Sequence, residues 1–351
     1  MRIHVPSERR TKRVGRFVHI GIYACVVVLA AGASLMGGCD REEDSPDTSG
    51  AKKNTEGISP QELVIFHAGS LSVPFRDVTE LFKSKHPDVT IKAEAAGSRD
   101  TARKVSDLGR SCDVLGSADY KVVENLLMPD HADFNIRFVA NEMCIAHTQH
   151  SRATDEINAD NWHEVLLRDD VTFGRADPNR DPCGYRTVMV FQLAERHCRA
   201  TGLAERLGSK HGGRFIRPKE TDLLALLETG EIDYLFIYKS VATQHGLHTI
   251  ALPREINLGD PSLAEVYGES RVQVTGKKPG ELITRVGEPI VYSVTIPVAA
   301  LDRTLAEQYL NLLLSPEGQA IMEKNGHRVL TPMIVDGANH LPDSLKPLFD
   351  K

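Results

Sequence analysis

Residues 62–93, ELVIFHAGSLSVPFRDVTELFKSKHPDVTIKA, decide the fold class of this chain. They open with a short apolar run, Leu63–Phe66, which is typical of a buried strand. A helical pattern follows from Ser72 to Lys85, and the alternating stretch Val89–Ala93 predicts a second strand. A strand, a helix and a strand in this order predict a βαβ unit with parallel strands.

The same alternation continues along the chain. Further strands are predicted at residues 113–115, 171–174 and 232–238, with helices at residues 98–108, 119–127, 182–199 and 223–228. Residues 271–275 and 290–298 are rich in β-formers, and two helices follow them. The last helix begins at Ser315, a cap residue followed by a proline, and ends at Asn325-Gly326. We therefore predict an α/β fold with a mostly parallel sheet.

Composition narrows the class of protein. Of 351 residues, 41% are hydrophobic and 26% charged, which is typical of a soluble globular chain and not of a disordered one. A chain of this length usually divides into two lobes. The net charge is −6, but residues 1–38 carry six basic residues and one acidic residue, so the rest of the chain carries −11. Nucleic-acid binding is excluded, because residues 39–351 are acidic and would repel the phosphate backbone.

Residues 1–38 have the organisation of a secretory signal peptide. A basic stretch is followed by an apolar run, Phe17–Met36, and by two glycines before Cys39. Leu35–Cys39 resembles the bacterial lipoprotein box, in which the cysteine is lipidated, although the run could also remain as an uncleaved membrane helix. Residues 39–60 are polar and predict a flexible, lipid-anchored tether. We expect the body to lie on the periplasmic, extracytoplasmic face of the cell membrane.

Four cysteines follow Cys39, and none of them is part of a CxxC motif or of a Cys/His spacing that suggests zinc. In an oxidising compartment they could form one or two disulfides, or they could be buried free thiols. The sequence leaves both states open for Cys112, Cys144, Cys183 and Cys198.

Polar residues follow the predicted strands at the points where helices begin. In open α/β sheets, ligands bind outside the carboxyl ends of the strands, next to the free N–H groups of helix starts. Each residue alone could be a helix cap or a packing residue, but five at corresponding ends predict a binding site. These candidates are Ser70, Ser98, Asp181, Glu220 and Tyr238.

Longer motifs carry a family resemblance. They are HAGSL at 67–71, SADY at 117–120, DPCGYR at 181–186, RPKE at 217–220, DYLFIYKS at 233–240, INLGD at 256–260 and PIVY at 289–292. Together they resemble the tungstate/molybdate-binding lipoproteins of ABC importers, the Wtp group. The resemblance implies a periplasmic-binding-protein-like fold with two α/β lobes around a hinge and a ligand cleft. We expect residues 61–140 plus 245–351 in one lobe and residues 141–244 in the other.

The resemblance also implies the roles of the candidate residues. Ser70 and Ser98 would donate to the oxyanion from hydroxyl and backbone, and Tyr238 matches the family's tyrosine. Asp181 and Glu220 match two carboxylates that approach the metal atom of the oxyanion. Molybdenum and tungsten can expand from four to six oxygen ligands, whereas the sulfur of sulfate cannot, so the carboxylates would select against sulfate.

The implied function is that of a solute-binding protein, not an enzyme, which needs no cofactor and delivers molybdate or tungstate to an ABC permease and its ATPase. We expect a monomer, held at the membrane through lipidated Cys39. A ferric-ion carrier, with Asp, Glu and Tyr as hard oxygen donors, and a sulfate-type oxyanion carrier are the alternatives among binding proteins. A secreted metal-dependent hydrolase is a third alternative, although the chain has no nucleophile elbow or metal-hydrolase motif.

Overall fold

Two mixed sheets with helices packed on them organise the chain in a computed structural model that describes residues 61–349. The predicted signal peptide, the tether and Cys39 lie outside the described residues. Among residues 61–349, no helix combines the length and the apolar character needed to cross a bilayer.

The strands, in chain order, are β1 (Glu62–Ala68), β2 (Thr90–Ala96), β3 (Val114–Ser117), β4 (Asn135–Ala140), β5 (Met143–His147), β6 (Phe173–Ala176), β7 (Ile216–Arg217), β8 (Tyr234–Tyr238), β9 (His248–Ala251), β10 (Arg271–Thr275), β11 (Leu282–Val286), β12 (Val291–Thr295) and β13 (Arg328–Asp336). The helices are α1 (Ser72–Lys85), α2 (Ser98–Ser106), α3 (Tyr120–Leu126), α4 (Trp162–Leu166), α5 (Pro182–His197), α6 (Leu203–Ser209), α7 (Leu224–Glu228), α8 (Lys239–Gln244), α9 (Ala264–Tyr267), α10 (Arg303–Leu314) and α11 (Pro316–Lys324).

The first sheet has the strand order β13-β4-β12-β3-β1-β2. Strand β1 pairs in parallel with β2 and β3, with Leu63 opposite Ile91 and Ile65 opposite Val114. The other three pairs, β12–β3, β12–β4 and β13–β4, are antiparallel. The three parallel strands, in the order β3-β1-β2, therefore occupy one half of this sheet, and helices α1 and α2 connect them.

The second sheet has the order β7-β6-β8-β5-β9. Strand β6 pairs in parallel with β7 and β8, whereas β5 pairs antiparallel with β8 and β9. Strands β10 and β11 form a separate antiparallel hairpin. The prediction of a mostly parallel sheet is therefore wrong, because three of the five strand pairs in the first sheet and two of the four in the second are antiparallel. Apolar periodicity indicates a strand but not its direction, which depends on the partner.

One predicted boundary also differs from the structure. Strand β9, His248–Ala251, falls in the first lobe if the boundary lies at residue 244, but it pairs with β5 in the second sheet. The chain passes from the first sheet to the second through Asn141-Glu142, between β4 and β5. The predicted boundary misses β9, because an edge strand joins a sheet through hydrogen bonds to a segment that is distant in sequence.

Local signals explain why the individual elements form. Helix α1 buries Pro74, Phe75, Val78 and Phe82, which recur at helical spacing and face the core. The predicted helix Ser72–Lys85 is confirmed with the same bounds. The predicted cap at Ser315 is also confirmed, since its hydroxyl accepts a hydrogen bond from the Gly318 N–H at 3.3 Å.

Candidate functional site

The five predicted site residues all follow the carboxyl ends of strands in parallel pairs. All five are buried, with at most 2% of the residue surface exposed. Ser70 follows β1, Ser98 opens α2 after β2, Asp181 precedes α5 after β6, Glu220 opens a 3-10 turn after β7, and Tyr238 ends β8.

Glycines allow the ends of the two sheets to meet. A Cβ atom on Gly69 would lie 3.4 Å from Glu220 Oε1 and 2.8 Å from Thr221 Oγ1. A Cβ atom on Gly97 would lie 2.4 Å from the Arg180 carbonyl oxygen, which is closer than real Cβ contacts come. The turns after β1 and β2 therefore touch the turns after β6 and β7 with no room for a side chain. The five candidate residues are enclosed where these turns meet.

A chain of hydrogen bonds joins Ser98 to Tyr238. The Ala118 N–H donates to Ser98 Oγ at 2.9 Å, and the Ala118 carbonyl accepts from Arg186 Nη1 at 2.6 Å. The same Arg186 nitrogen donates to the Tyr238 hydroxyl oxygen at 2.9 Å. The Ser98 hydroxyl proton and the Tyr238 hydroxyl proton are thus left to bind an acceptor. Arg186 belongs to the DPCGYR motif, but the sequence analysis did not select it as a site residue.

A second chain of hydrogen bonds holds Ser70. The Tyr292 hydroxyl donates to Ser70 Oγ at 3.0 Å and accepts from Asn141 Nδ2 at 3.0 Å. The rings of Tyr292 and Tyr238 meet edge to face with their centroids 5.7 Å apart. Tyr292 and Asn141 were also missed by the sequence analysis. Nothing in their local sequence shows that strand β12 and the β4–β5 connection lie behind Ser70.

Neither serine is used to cap a helix. Gly97 occupies the cap position of α2, and Ser70 lies inside the 3-10 turn Gly69–Leu71. Asp181 is a genuine cap, since its Oδ1 accepts from the Cys183 N–H at 2.8 Å. The interpretation of Ser70 and Ser98 as helix caps is therefore wrong. Asp181 both caps α5 and belongs to the candidate site.

The carboxylates of Asp181 and Glu220 are buried next to each other. Burial, followed by the neighbouring charge of Glu220, raises the pKa of Asp181 well above its usual value. Both carboxylate oxygens of Glu220 are buried and have no hydrogen-bond partner among the described residues. Buried carboxylates without partners are costly, and either a proton held by Asp181 or an electrophilic ligand would offset that cost.

Buried positive charge lies behind the site. Arg186 is 2% exposed, and its Nη2 lies 3.7 Å from Asp119 Oδ2. Asp119 also accepts a hydrogen bond from the Tyr185 hydroxyl. Helices α2 and α5 direct their N-terminal N–H groups to the same region, because both begin at site residues. The site therefore combines donors for oxygen atoms with two carboxylates.

The cysteines and the metal-binding types of side chain bear on whether the protein holds a disulfide or a metal ion. The four cysteines that follow Cys39 are free thiols in the structure; Cys112, Cys144 and Cys183 are buried and Cys198 is half-buried. Within residues 61–349, no group of three or more His, Cys, Asp or Glu side chains is arranged to hold a metal ion.

Proteins of similar sequence are described as solute-binding proteins. Residues 63–328 match the family described as bacterial extracellular solute-binding protein. The chain is 50% identical over 271 residues to an uncharacterized solute-binding protein of Petrotoga mobilis, covering 77% of this chain and 84% of the relative. It is 40% identical over 328 residues to the molybdate/tungstate-binding protein WtpA of Pyrococcus abyssi, covering 86% of this chain and 93% of the relative.

Solved structures share the fold at lower identity. The periplasmic molybdate-binding protein of Azotobacter vinelandii superposes with a TM-score of 0.54 at 16% identity, covering 76% of this chain and 98% of that one. The sulfate-binding protein SubI of Mycobacterium tuberculosis gives a TM-score of 0.55 at 13% identity, covering 83% and 92% of the two chains. At these identities the likeness concerns the fold alone.

Proposed function

This chain belongs to the bacterial extracellular solute-binding protein family, and from that premise we propose that it captures tungstate or molybdate between two lobes. It would then deliver the oxyanion to an ABC permease and its ATPase. The WtpA relative, which aligns with 86% of the chain, is named for the same pair of oxyanions. The family is one of binding proteins, and the role proposed here requires no chemical conversion of the ligand.

The observation that carries the proposal is the unpartnered, buried carboxylate of Glu220 beside Asp181. Carboxylates repel a simple oxyanion such as sulfate. They are suitable neighbours only if the central atom of the ligand accepts further oxygen donors, as tungsten and molybdenum do when they expand to six ligands. We assign Asp181 and Glu220 to the metal atom of the oxyanion.

The oxo atoms would be held by the remaining donors of the site. The hydroxyls of Ser70, Ser98 and Tyr238 each accept a hydrogen bond from the protein and so keep their own protons for the ligand. Helix starts add backbone N–H groups. Arg186, held against Tyr238, contributes positive charge that offsets the two carboxylates.

Ligand entry would require the lobes to separate. The five site residues are at most 2% exposed, and Gly69 and Gly97 touch the opposite turns. We propose that this arrangement is a closed state and that these turns part in an open state. Binding would shift the population from open to closed, because only the closed state brings both carboxylates and all three hydroxyls to the ligand.

The position in the cell forms part of the same proposal. Lipidation of Cys39 would hold the protein at the outer face of the cytoplasmic membrane, and the polar residues 40–60 would allow the body to reach the permease. We propose that the protein acts as a monomer, with the rim of the two lobes as the surface that contacts the permease.

Isothermal titration of the full chain with tungstate, molybdate, sulfate and ferric citrate tests the proposal. We expect one-to-one binding of tungstate and molybdate and no heat from sulfate or iron. Equal binding of sulfate would show that the carboxylates are structural and that the protein is a general oxyanion carrier. Heat from ferric citrate alone would assign the oxygen donors to iron.

A further inference from the structure

Behind the oxyanion site, a second group of charged side chains is enclosed. Arg99, Arg186 and Arg285 are buried, with exposed fractions of 0%, 2% and 6%, around the buried carboxylate of Asp119. Burial alone would raise the pKa of Asp119, but Arg186 and Arg285 hold it below its usual value. The Tyr185 hydroxyl also donates to this carboxylate. One carboxylate therefore serves several donors and cannot satisfy all three guanidiniums.

Arg285 points inward from the hairpin. It lies opposite Val272 in the antiparallel pairing of β10 and β11, so its side chain shares the face that buries Val272 and Val274. Its guanidinium carbon lies 5.8 Å from the centroid of the Tyr185 ring. The Nε and Nη2 atoms of Arg285 are buried and have no hydrogen-bond partner among residues 61–349.

Arg99 approaches the same region from helix α2. Its Nε donates to the Asn179 carbonyl at 3.0 Å and its Nη2 to the Thr275 carbonyl, while Nη1 is buried with no partner in the described chain. Burial lowers the pKa of Arg99 to about 10, and the charge of Arg285 acts in the same direction. Arg99 and Arg285 are therefore like charges buried in the same region of the fold.

These contacts leave a set of donors with no acceptor. Nε and Nη2 of Arg285 form one edge of the guanidinium, where two parallel N–H groups bind an acceptor together, and Arg99 Nη1 supplies a third N–H. Glu288, a half-buried carboxylate close to Asp119, accepts from the Tyr120 hydroxyl at 2.6 Å. Three buried guanidiniums therefore share the carboxylates of Asp119 and Glu288, and Arg103 adds further positive charge beside Arg99, so positive charge is in excess.

We propose that one halide-sized inorganic anion, chloride under ordinary conditions, is bound between Arg99 Nη1 and the Nε–Nη2 edge of Arg285. A monovalent anion offsets part of this positive charge, whereas a divalent oxyanion would bring two negative charges next to Asp119. A spherical ion also accepts from three N–H groups without the directional demands of a carboxylate. The bound anion would tie the β10–β11 hairpin to helix α2. This site shares no donor with the oxyanion site.

Thermal unfolding of the full chain tests the proposal. Chloride replaces gluconate at constant ionic strength up to about 0.5 M, in one series without tungstate and one with it. We expect chloride to raise the Tm of the wild-type protein by about 2–5 °C in at least one series, because a ligand that binds only the folded state stabilises it. The tungstate-free series does not depend on the identity of the cargo, so its outcome is separate from that of the proposed function.

Variants of the hairpin separate a specific site from general salt effects. Arg285→Gln should lose the chloride response, whereas Arg271→Gln, which changes an exposed arginine on the same hairpin, should keep it. If Arg285→Gln does not unfold cooperatively in gluconate, Arg285→Lys replaces it, because Lys keeps the charge but lacks the Nε–Nη2 edge. A wild-type Tm that ignores chloride in both series, or an equal response in the Arg285 variant, would overturn the proposal.

Anomalous diffraction from crystals grown in bromide gives a test that needs no variant. We expect a bromide peak within hydrogen-bond distance of Arg99 Nη1 and of Arg285. Water at this position without anomalous signal would show that solvent satisfies the three N–H groups and that the site does not bind halide.

Discussion

The Tyr292 hydroxyl donates a hydrogen bond to Ser70 Oγ at 3.0 Å, across 222 positions of sequence. Tyr292 lies in β12, which pairs antiparallel with β3, whereas Ser70 follows the parallel strand β1. A residue of an antiparallel strand therefore orients a hydroxyl at the end of a parallel strand. Because Tyr292 uses the acceptor capacity of Ser70, the serine proton is directed away from it. Orientation of the ligand donors therefore depends on residues that would not themselves contact the ligand.

The first prediction concerns this orientation. Tyr292→Phe keeps the ring that packs on Tyr238 but removes the bond to Ser70, so tungstate affinity should fall by about 5–10-fold, equivalent to one net hydrogen bond. Titration calorimetry measures the change. Tyr309→Phe is the matched control, because Tyr309 is equally buried but its hydroxyl contacts Thr79 and the Phe75 carbonyl. Equal losses in both variants would show that Tyr292 acts only through stability.

The second prediction concerns the carboxylate pair. Glu220→Gln should weaken tungstate binding by at least about 100-fold, because it removes a charged oxygen donor from the metal atom. It should also increase the closed fraction of the ligand-free protein, since closing would no longer bury an unpartnered charge beside Asp181. Small-angle X-ray scattering would then give a smaller ligand-free radius of gyration than in the wild type.

Asp233→Asn provides the control for this variant. Asp233 is a buried carboxylate whose oxygens are satisfied by the N–H groups of Arg152 and Thr172 and by the Thr172 hydroxyl. Its replacement should lower stability and leave tungstate affinity unchanged. If Glu220→Gln binds tungstate as tightly as the wild type, the assignment of Glu220 to the metal atom is wrong.

The third prediction concerns closure. Gly97→Ala places a Cβ atom 2.4 Å from the Arg180 carbonyl oxygen in the closed state, so this variant should close incompletely. We expect tungstate affinity to fall by at least about 10-fold while the Tm of the ligand-free protein changes by about 2 °C or less. Gly208→Ala, at a helical glycine with open space around it, should behave as the wild type in binding. Unaltered affinity in Gly97→Ala would contradict contact of these turns in the bound state.

The fourth prediction concerns pH. Burial lowers the pKa of His327 to about 4, whereas an unfolded histidine titrates near 6.5. Between these values the unfolded chain binds more protons at this residue, so its contribution to the free energy of unfolding is present above pH 6.5 and declines as the pH falls towards 4. Acidification from pH 6.5 to 4.5 should cost about 2–3 kcal/mol through this residue.

Urea unfolding of wild type and His327→Phe at pH 7 and pH 4.5 isolates this contribution from that of other groups. The stability difference between the two proteins should shift by about 2–3 kcal/mol in favour of the variant at the lower pH. His150→Gln, which changes an exposed histidine, should show no such shift. A constant difference between wild type and His327→Phe would mean that His327 is protonated in the folded protein at pH 4.5.

Where local interactions decide an element, the sequence predicted it. The strand around Leu63–Phe66 and the helix Ser72–Lys85 are present, because side-chain periodicity and helix formation act over a few residues. Strands β4, β5, β7, β9, β11 and β13 were not predicted, and the antiparallel pairs were missed. Strand β13 alternates poorly and lies at a sheet edge, where its hydrogen bonds to β4 and not its apolar content hold it in place.

The sequence by itself determined the α/β class and the five polar residues at the strand ends, because a strand followed by a helix carries its own local signal. Only the tertiary structure decided that these five residues are enclosed together and that Arg186, Tyr292 and Asn141 orient them. It alone also decided that Arg99 and Arg285, 186 positions apart, are both buried near Asp119. The physical reason is that a hydrogen bond or a charge interaction depends on distance in space, and distant segments come together only when both sheets have formed.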